Sequence, residues 1–389
     1  MSILDQPSQP VMLLQRERQM RPDLALVSSY IALSIFGLLM VYTASAPRLE
    51  EVGLSPTRDL ERQGAFVVAG FIAFAIMSAF DTRSLQRWVP AIYTANVIAL
   101  LIVLTPLGRK VQGAQRWVEL GPLQFQPAEL AKVAVILAVA AALTVAARPL
   151  RWDTAARVVV IVGIPALLIF MQPDLGTMLA FGVIAMVMLF VAGASLRQMT
   201  ALVIVAAVSA VALFQVGAIK AYQVTRLTAF LDAGSSDVSA QYNLQQSEIA
   251  IGTGGMLGKG LFNGTQTNLR FVPEQSSDFI FTAVGEQLGF VGAMVVLVLF
   301  AILLWRILIS ALNARDRFSQ LVAVGAAALI TFHVFVNVGM TVGVMPITGL
   351  PLPFMSAGGT AFVAMSIALG MAHSGWLRRS PVPGERAGE

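Results

Sequence analysis

The chain has 389 residues, of which 57% are hydrophobic and only 12% charged, with a mean hydropathy of +0.77. A soluble domain carries roughly 25% charged residues, so these values describe a polytopic membrane protein built as one helical bundle. The absence of cysteine excludes disulfide, iron–sulfur and thiolate-metal chemistry, two histidines exclude a histidine-rich metal site, and the formal charge of +5 reflects topology rather than nucleic-acid binding.

The chain opens on a polar, arginine-bearing stretch, RERQMRPD, which reads as a cytoplasmic tail over 1–23 and not as a cleaved signal peptide. Apolar runs long enough to span, about 17–25 residues each, then fall near 24–44, 64–80, 88–107, 128–146, 155–171, 176–194, 199–216, 279–305, 318–345 and 354–374. They predict an all-α, ten-helix transmembrane bundle over 24–374, with both termini on one side and a second tail over 375–389. With that side cytoplasmic, the inner segments hold Arg16, Arg18, Arg21, Arg83, Arg87, Arg148, Arg151, Arg157, Arg197, Arg306, Arg315, Arg317, Arg378, Arg379 and Arg386. These are 15 of the 26 basic residues, packed into short loops and tails, and the positive-inside rule therefore places both termini in the cytoplasm.

In the loop before the fourth span, GAQRWVELGPLQFQPAELAK, Glu129 and Lys132 stand at i and i+3 and can face each other. They serve either as a self-neutralising pair that eases insertion or as a charged wall of a cavity, where intramembrane ionisable groups usually lie. Trp117 fits an interfacial anchor, and the planar donor fork of Arg116 suits phosphate. Asp174, in MQPDLGTM, occupies a tight turn whose Pro and Gly make a structural role sufficient.

The long connection 217–278 lies outside, and loops of this size in compact proteins are usually functional. It begins with AYQVTRLTAFLD, an interfacial-helix candidate, and continues into the Gly-rich GTGGMLGKGLFNG. That tract is no Walker loop, because Gly260 and not Ser or Thr follows Lys259; a flexible loop or a backbone nest for an anion are the alternatives. Asp278 closes the connection at the threshold of the eighth span. It can N-cap that helix or act as a general base at the outer membrane face, and capping bonds would lower its pKa and weaken the base. Glu286, eight residues on, is expected to face a similar way and to bond a neighbouring helix. Pro346, Pro351 and Pro353, followed by Ser356, Gly358 and Gly359, read as a re-entrant wall between the last two spans.

The stretches GAQRW…QPAELAK, QPDLGT, QQSEIAIGTGGMLGKGLFNGTQTNLRFVPEQSSDFIF and MPITGLPLPFMSAGGTAF together resemble the SEDS family (shape, elongation, division and sporulation) over nearly the whole chain. The GKG…GTQ and PITGLPLPFMS segments resemble its elongation branch more than its division branch; SSD and SAGGT depart from the family's usual forms. The resemblance implies a peptidoglycan glycosyltransferase that polymerises lipid II, with a class B penicillin-binding protein and the elongation machinery as partners, in the bacterial cytoplasmic membrane. It places the family's essential aspartate on Asp278, its charged pair on Glu129 and Lys132, and its loop arginine on Arg116. Gln245, Ser247, Lys259, Glu274 and Ser356, within the matching stretches, become substrate contacts, and Arg62 a further charge candidate.

Such a reaction joins the 4-hydroxyl of one lipid-linked sugar to the anomeric carbon of another with inversion. It calls for a base, Asp278, and for positive charge at the leaving diphosphate, from Arg116, Lys132 and Arg62, with Glu129 orienting Lys132. A divalent cation, Mg²⁺ or Mn²⁺, is expected by analogy with other phosphate leaving groups, although no ligand set declares itself, and no organic cofactor is expected. The rival expectations are a lipid II flippase, a division-type polymerase and a scaffold that recruits only the penicillin-binding protein.

Overall fold

The computed structural model describes residues 21–111, 114–120, 123–217, 238–269 and 271–379. The interfacial helix expected over AYQVTRLTAFLD, and most of both tails, lie outside the described residues. In chain order the elements are α1 (Leu24–Glu51), α2 (Arg58–Ala79), α3 (Thr82–Gln86), α4 (Val89–Leu104), β1 (Gly108–Val111), β2 (Ala114–Leu120), β3 (Leu123–Phe125), α5 (Pro127–Thr144) and α6 (Trp152–Met171). There follow α7 (Leu175–Ala192), α8 (Leu196–Gln215), α9 (Val238–Gly254), α10 (Thr265–Asn268), α11 (Ile280–Asn313), α12 (Arg317–Thr341) and α13 (Gly359–Leu377). Each predicted apolar run falls on a helix. Among the described residues nine helices are long and apolar enough to cross a membrane, and α4, at 16 residues, is a shorter apolar one.

The helices start and stop where local chemistry dictates. Asp23, Asp174 and Asp316 accept N-cap bonds from Leu26, Thr177 and Ser319, and Ser195 and Gln198 form a full capping box at α8. Helix α7 ends at Gly193 in the left-handed conformation, φ 101°. Helices α5, α12 and α13 are buried on nearly every face, whereas among the described residues α8 buries none of its apolar side chains. Small residues allow the closest helix approach: a Cβ on Gly370 of α13 would stand 2.7 Å from the Phe74 carbonyl of α2.

One end of the bundle is tied by charges. Arg306 pairs with Asp23 at 2.7 Å, Arg83 with Asp316 at 2.8 Å, and Arg317 donates to the carbonyls of Ala146 and Ala192 beyond α5 and at the end of α7. The opposite end carries the irregular backbone.

Two features there differ from expectation. The loop before α5 is not merely a connection: β1, β2 and β3 form an antiparallel sheet, with Arg109 opposite Trp117 and Val118 opposite Phe125. A hydropathy count has no window for strands of three to seven residues, so the all-helical expectation missed it. The Gly-rich tract is not a free loop or an anion nest either. Helix α11 breaks at Gly289 (φ 66°, ψ −164°), and the tract docks on the break. Lys259 and Gly260 donate their N–H groups to the carbonyls of Glu286 and Gln287, while the N–H groups of Phe290 and Val291 reach the carbonyls of Gly255 and Met256. A continuous helix would have joined Glu286 to Phe290 and Gln287 to Val291, so the tract supplies the partners that the break removes.

Candidate active site

Helix α5 begins at Pro127, whose fixed φ suits the first helical turn and whose missing N–H costs nothing there. This start brings Glu129 to the rim of the bundle and Lys132 one turn deeper. Both are buried, at 3% and 1% exposure, and Lys132 Nζ donates to Glu129 Oε1 at 2.9 Å. Glu129 Oε2 is buried without a hydrogen-bond partner. On its other side Lys132 Nζ lies 3.2 Å from Nε2 of His333, whose Nδ1 lies 3.1 Å from the Pro351 carbonyl.

The wall between α12 and α13 is non-helical, as expected, and well packed. Leu350, Leu352, Phe354 and Met355 are buried, the Leu352 N–H donates to Ser356 Oγ at 2.8 Å, and Gln63 of α2 bonds both the Ser356 carbonyl and the Gly358 N–H. The loop before α11 joins this wall through the Ala357 N–H and the Ser276 carbonyl, 2.8 Å apart.

Asp278 sits on that loop, half-buried. The N-cap position of α11 is Phe279, whose own side chain makes no cap bond. The backbone carbonyl of Asp278 accepts from Asn337 Nδ2 at 2.7 Å, and its carboxylate lies against Gly349 (φ 73°), where an added Cβ would come 3.2 Å from Oδ2.

These pieces enclose a cavity of about 530 Å³. Its wall includes Arg116, Trp117, Glu129, Asp174, Glu274 and Asp278. Arg116 is held by the α6–α7 turn, donating to the carbonyls of Gln172 (3.1 Å) and Pro173 and standing 3.8 Å from Asp174 Oδ2. Asp174 is thus both the N-cap of α7 and a lining group. Among the described lining residues four are carboxylates and one is a guanidinium, with Lys132 countering Glu129 from behind.

The structure brings together Asp278, Glu274, Glu129 and Arg116, but not the remaining expected contacts. Lys132 reaches no cavity surface and acts only through Glu129. Ser247 is fully buried and donates to the Thr341 carbonyl at 2.7 Å, fastening α9 to α12, while Gln245, on α9, is exposed and away from the cavity. Ser356 is committed inside the wall. Lys259 pairs with Glu286 at 2.9 Å. Glu286 is fully buried and also accepts from the N–H groups of Gln266 and Thr267; it bonds the neighbouring short helix α10, as expected, and anchors the docked tract, but does not line the cavity with Asp278. Arg62 opens on a separate cleft of about 500 Å³ with Arg48, Arg58 and Arg109. Sequence reasoning missed His333, Asn337 and Gln63. For His333 a usable signal existed, since an ionisable group inside a span is itself a functional hint.

Comparison with known proteins now places this architecture. The profile of the FTSW_RODA_SPOVE family, described as cell cycle proteins, matches residues 24–374, and the chain belongs to that family. It is 35% identical over 345 residues to the peptidoglycan glycosyltransferase MrdB of Escherichia coli, covering 88% of this chain and 90% of that protein. A probable peptidoglycan glycosyltransferase FtsW from a Geobacter species is 32% identical over 352 residues, 90% of this chain and 95% of the relative. Among solved structures, a chain of a peptidoglycan synthase complex, studied for its coordination of polymerization and crosslinking, aligns with a TM-score of 0.76 and 31% identity over 91% of this chain and 97% of its own. The rod shape determining protein RodA of Thermus thermophilus aligns at 0.67 and 28% identity, over 93% and 99%.

Proposed function

We propose that this protein is a peptidoglycan glycosyltransferase of the elongation type, polymerising lipid II into β-1,4 glycan strands at the outer face of the bacterial cytoplasmic membrane, with both termini inside. The observation that carries the mechanism is the presence of Asp278 on one cavity wall with Glu129 and Arg116. The acceptor's 4-hydroxyl attacks the donor's anomeric carbon while the bond from that carbon to the diphosphate oxygen breaks. Asp278 takes the hydroxyl proton, and Arg116 faces the departing negative charge. A single displacement inverts an α-linked donor to a β product. Glu129 Oε2, lacking a protein partner, is available to a substrate hydroxyl or a cation.

A divalent cation would suit this wall, where Glu129 and Asp278 stand beside the place of a diphosphate leaving group. Among the described residues no cluster of three or more acidic or histidine side chains forms a metal cage. Asp278 or Glu129 would be the residues to hold such an ion beside the substrate. Such an ion would stabilise the charge of the leaving group. The synthase-complex relative supports a class B penicillin-binding protein as partner, which would cross-link the strands made here, within the elongation machinery.

The test is Asp278→Asn in purified protein with its transpeptidase partner. A general base contributes about 10²–10⁴-fold, so polymer formation from lipid II is expected to fall at least about a hundredfold. The melting temperature in detergent should change little, because Asn keeps the shape of the side chain and an oxygen that can accept a helix-capping bond. Normal glycan synthesis by the variant would defeat the assignment, and a flippase would give no polymer from wild type in detergent.

A further inference from the structure

Helix α12 crosses the bundle behind the cavity and carries two fully buried polar side chains, His333 and Asn337, four residues apart on one face. Neither belongs to the cavity lining, yet each holds a piece of it. Asn337 Nδ2 donates to the Leu350 carbonyl and to the Asp278 carbonyl, both at 2.7 Å. His333 Nδ1 faces the Pro351 carbonyl at 3.1 Å. A carbonyl can only accept, so Nδ1 carries the ring proton. Nε2 is then a bare acceptor, and the ammonium of Lys132, 3.2 Å away, donates to it. Two consecutive wall residues, the backbone of Asp278 and the Glu129–Lys132 pair are thus all fixed from one helix face.

The consequence lies in Glu129. Its Oε1 receives Lys132, while Oε2, although buried, has no hydrogen-bond partner among the described residues. An ammonium has three rotatable donors and would gain by spanning both oxygens of the carboxylate. The competing acceptor at His333 draws it to the far side of Oε1. We infer that His333 is a positioning residue for polymerisation, holding Lys132 on Glu129 Oε1 so that Oε2 is presented to the ligand in the cavity. This rests on the reading above that Glu129 meets substrate or its cation.

Three measurements test it. His333→Gln preserves one acceptor and one donor and should retain kcat/KM within about twofold. His333→Leu should lower kcat/KM by about 10–100-fold, the cost of about 1 Å of misplacement at a reacting group. In a Lys132→Met background the same Leu change should add no more than about twofold, because independent sites would instead multiply their losses. Multiplied losses, or a Gln variant as poor as Leu, would overturn the proposal. The third measurement needs no folded His333 variant. With only two histidines in the chain, imidazole ¹⁵N spectra should show His333 as the Nδ1–H tautomer, with an Nε2 signal that moves in Lys132→Met. An Nε2–H tautomer, or no movement, would refute the contact. Failure of wild type to polymerise lipid II would count against the functional reading alone, since the tautomer is read without turnover.

Discussion

Removing one member of the Glu129–Lys132 pair should harm the protein unequally, depending on which member goes. Lys132 is 1% exposed and touches no cavity surface, so Glu129→Ala strands an ammonium whose remaining partner is His333. Breaking a buried pair in this way costs about 3–5 kcal/mol. Lys132→Met leaves a carboxylate instead, but Glu129 lines the cavity, where it can be hydrated or protonated, and the cost should drop to about 1–3 kcal/mol, that of an unsatisfied buried polar group. The double variant Glu129→Gln with Lys132→Met removes both charges and should recover most of the stability while remaining inactive. Thermal unfolding in detergent, followed by tryptophan fluorescence, reads the first part; polymer formation from lipid II reads the second. Equal losses for the two single variants would refute the asymmetry of access. A double variant as active as wild type would reduce the pair to an insertion device.

At the opposite end of the bundle, burial raises the Asp316 pKa, but the hydrogen bond from Arg83 and those from the Ser319 N–H and hydroxyl outweigh it, leaving the net value below 3.8. Its stabilisation is therefore complete above about pH 4 and lost as the pH falls through the depressed folded value; since Arg83 is well exposed, Arg83→Gln should cost at most about 1 kcal/mol at pH 7, a difference that closes in acid. A gap in melting temperature that widened on acidification would contradict this. For topology, single cysteines in this cysteine-free chain at Asn263 and Arg315, both exposed, should label with an impermeant thiol reagent from outside only at 263; labelling of intact cells at 315 would reverse the orientation.

The spans were legible because twenty apolar residues in a row leave few alternatives in water, and Asp278 stood out because a carboxylate beside hydrocarbon demands a reason. Asp278, Glu274, Glu129 and Arg116, singled out from their motifs, line one cavity. What stayed hidden depends on pairing across long separations. Nothing local in Lys259 or Ser247 tells that one meets Glu286 and the other the Thr341 carbonyl, so motif membership passed for substrate contact. His333 looks alike in sequence whether it fills space or bridges Lys132 to Pro351. Short strands between spans carry too few residues for their alternation to stand out.

The break at Gly289 bears on how the molecule is made. While α11 is entering the membrane, its cheapest form is an unbroken helix, since a gap would bare four peptide groups to hydrocarbon. The gap becomes tolerable only once residues 255–260, synthesised earlier, dock on it. The segment leading from Asp278 to the break can therefore take its final angle only after that tract has docked. A nascent chain whose spans are all inserted would still lack the wall that carries Asp278, so the cavity is completed as the last act of biogenesis, after membrane integration.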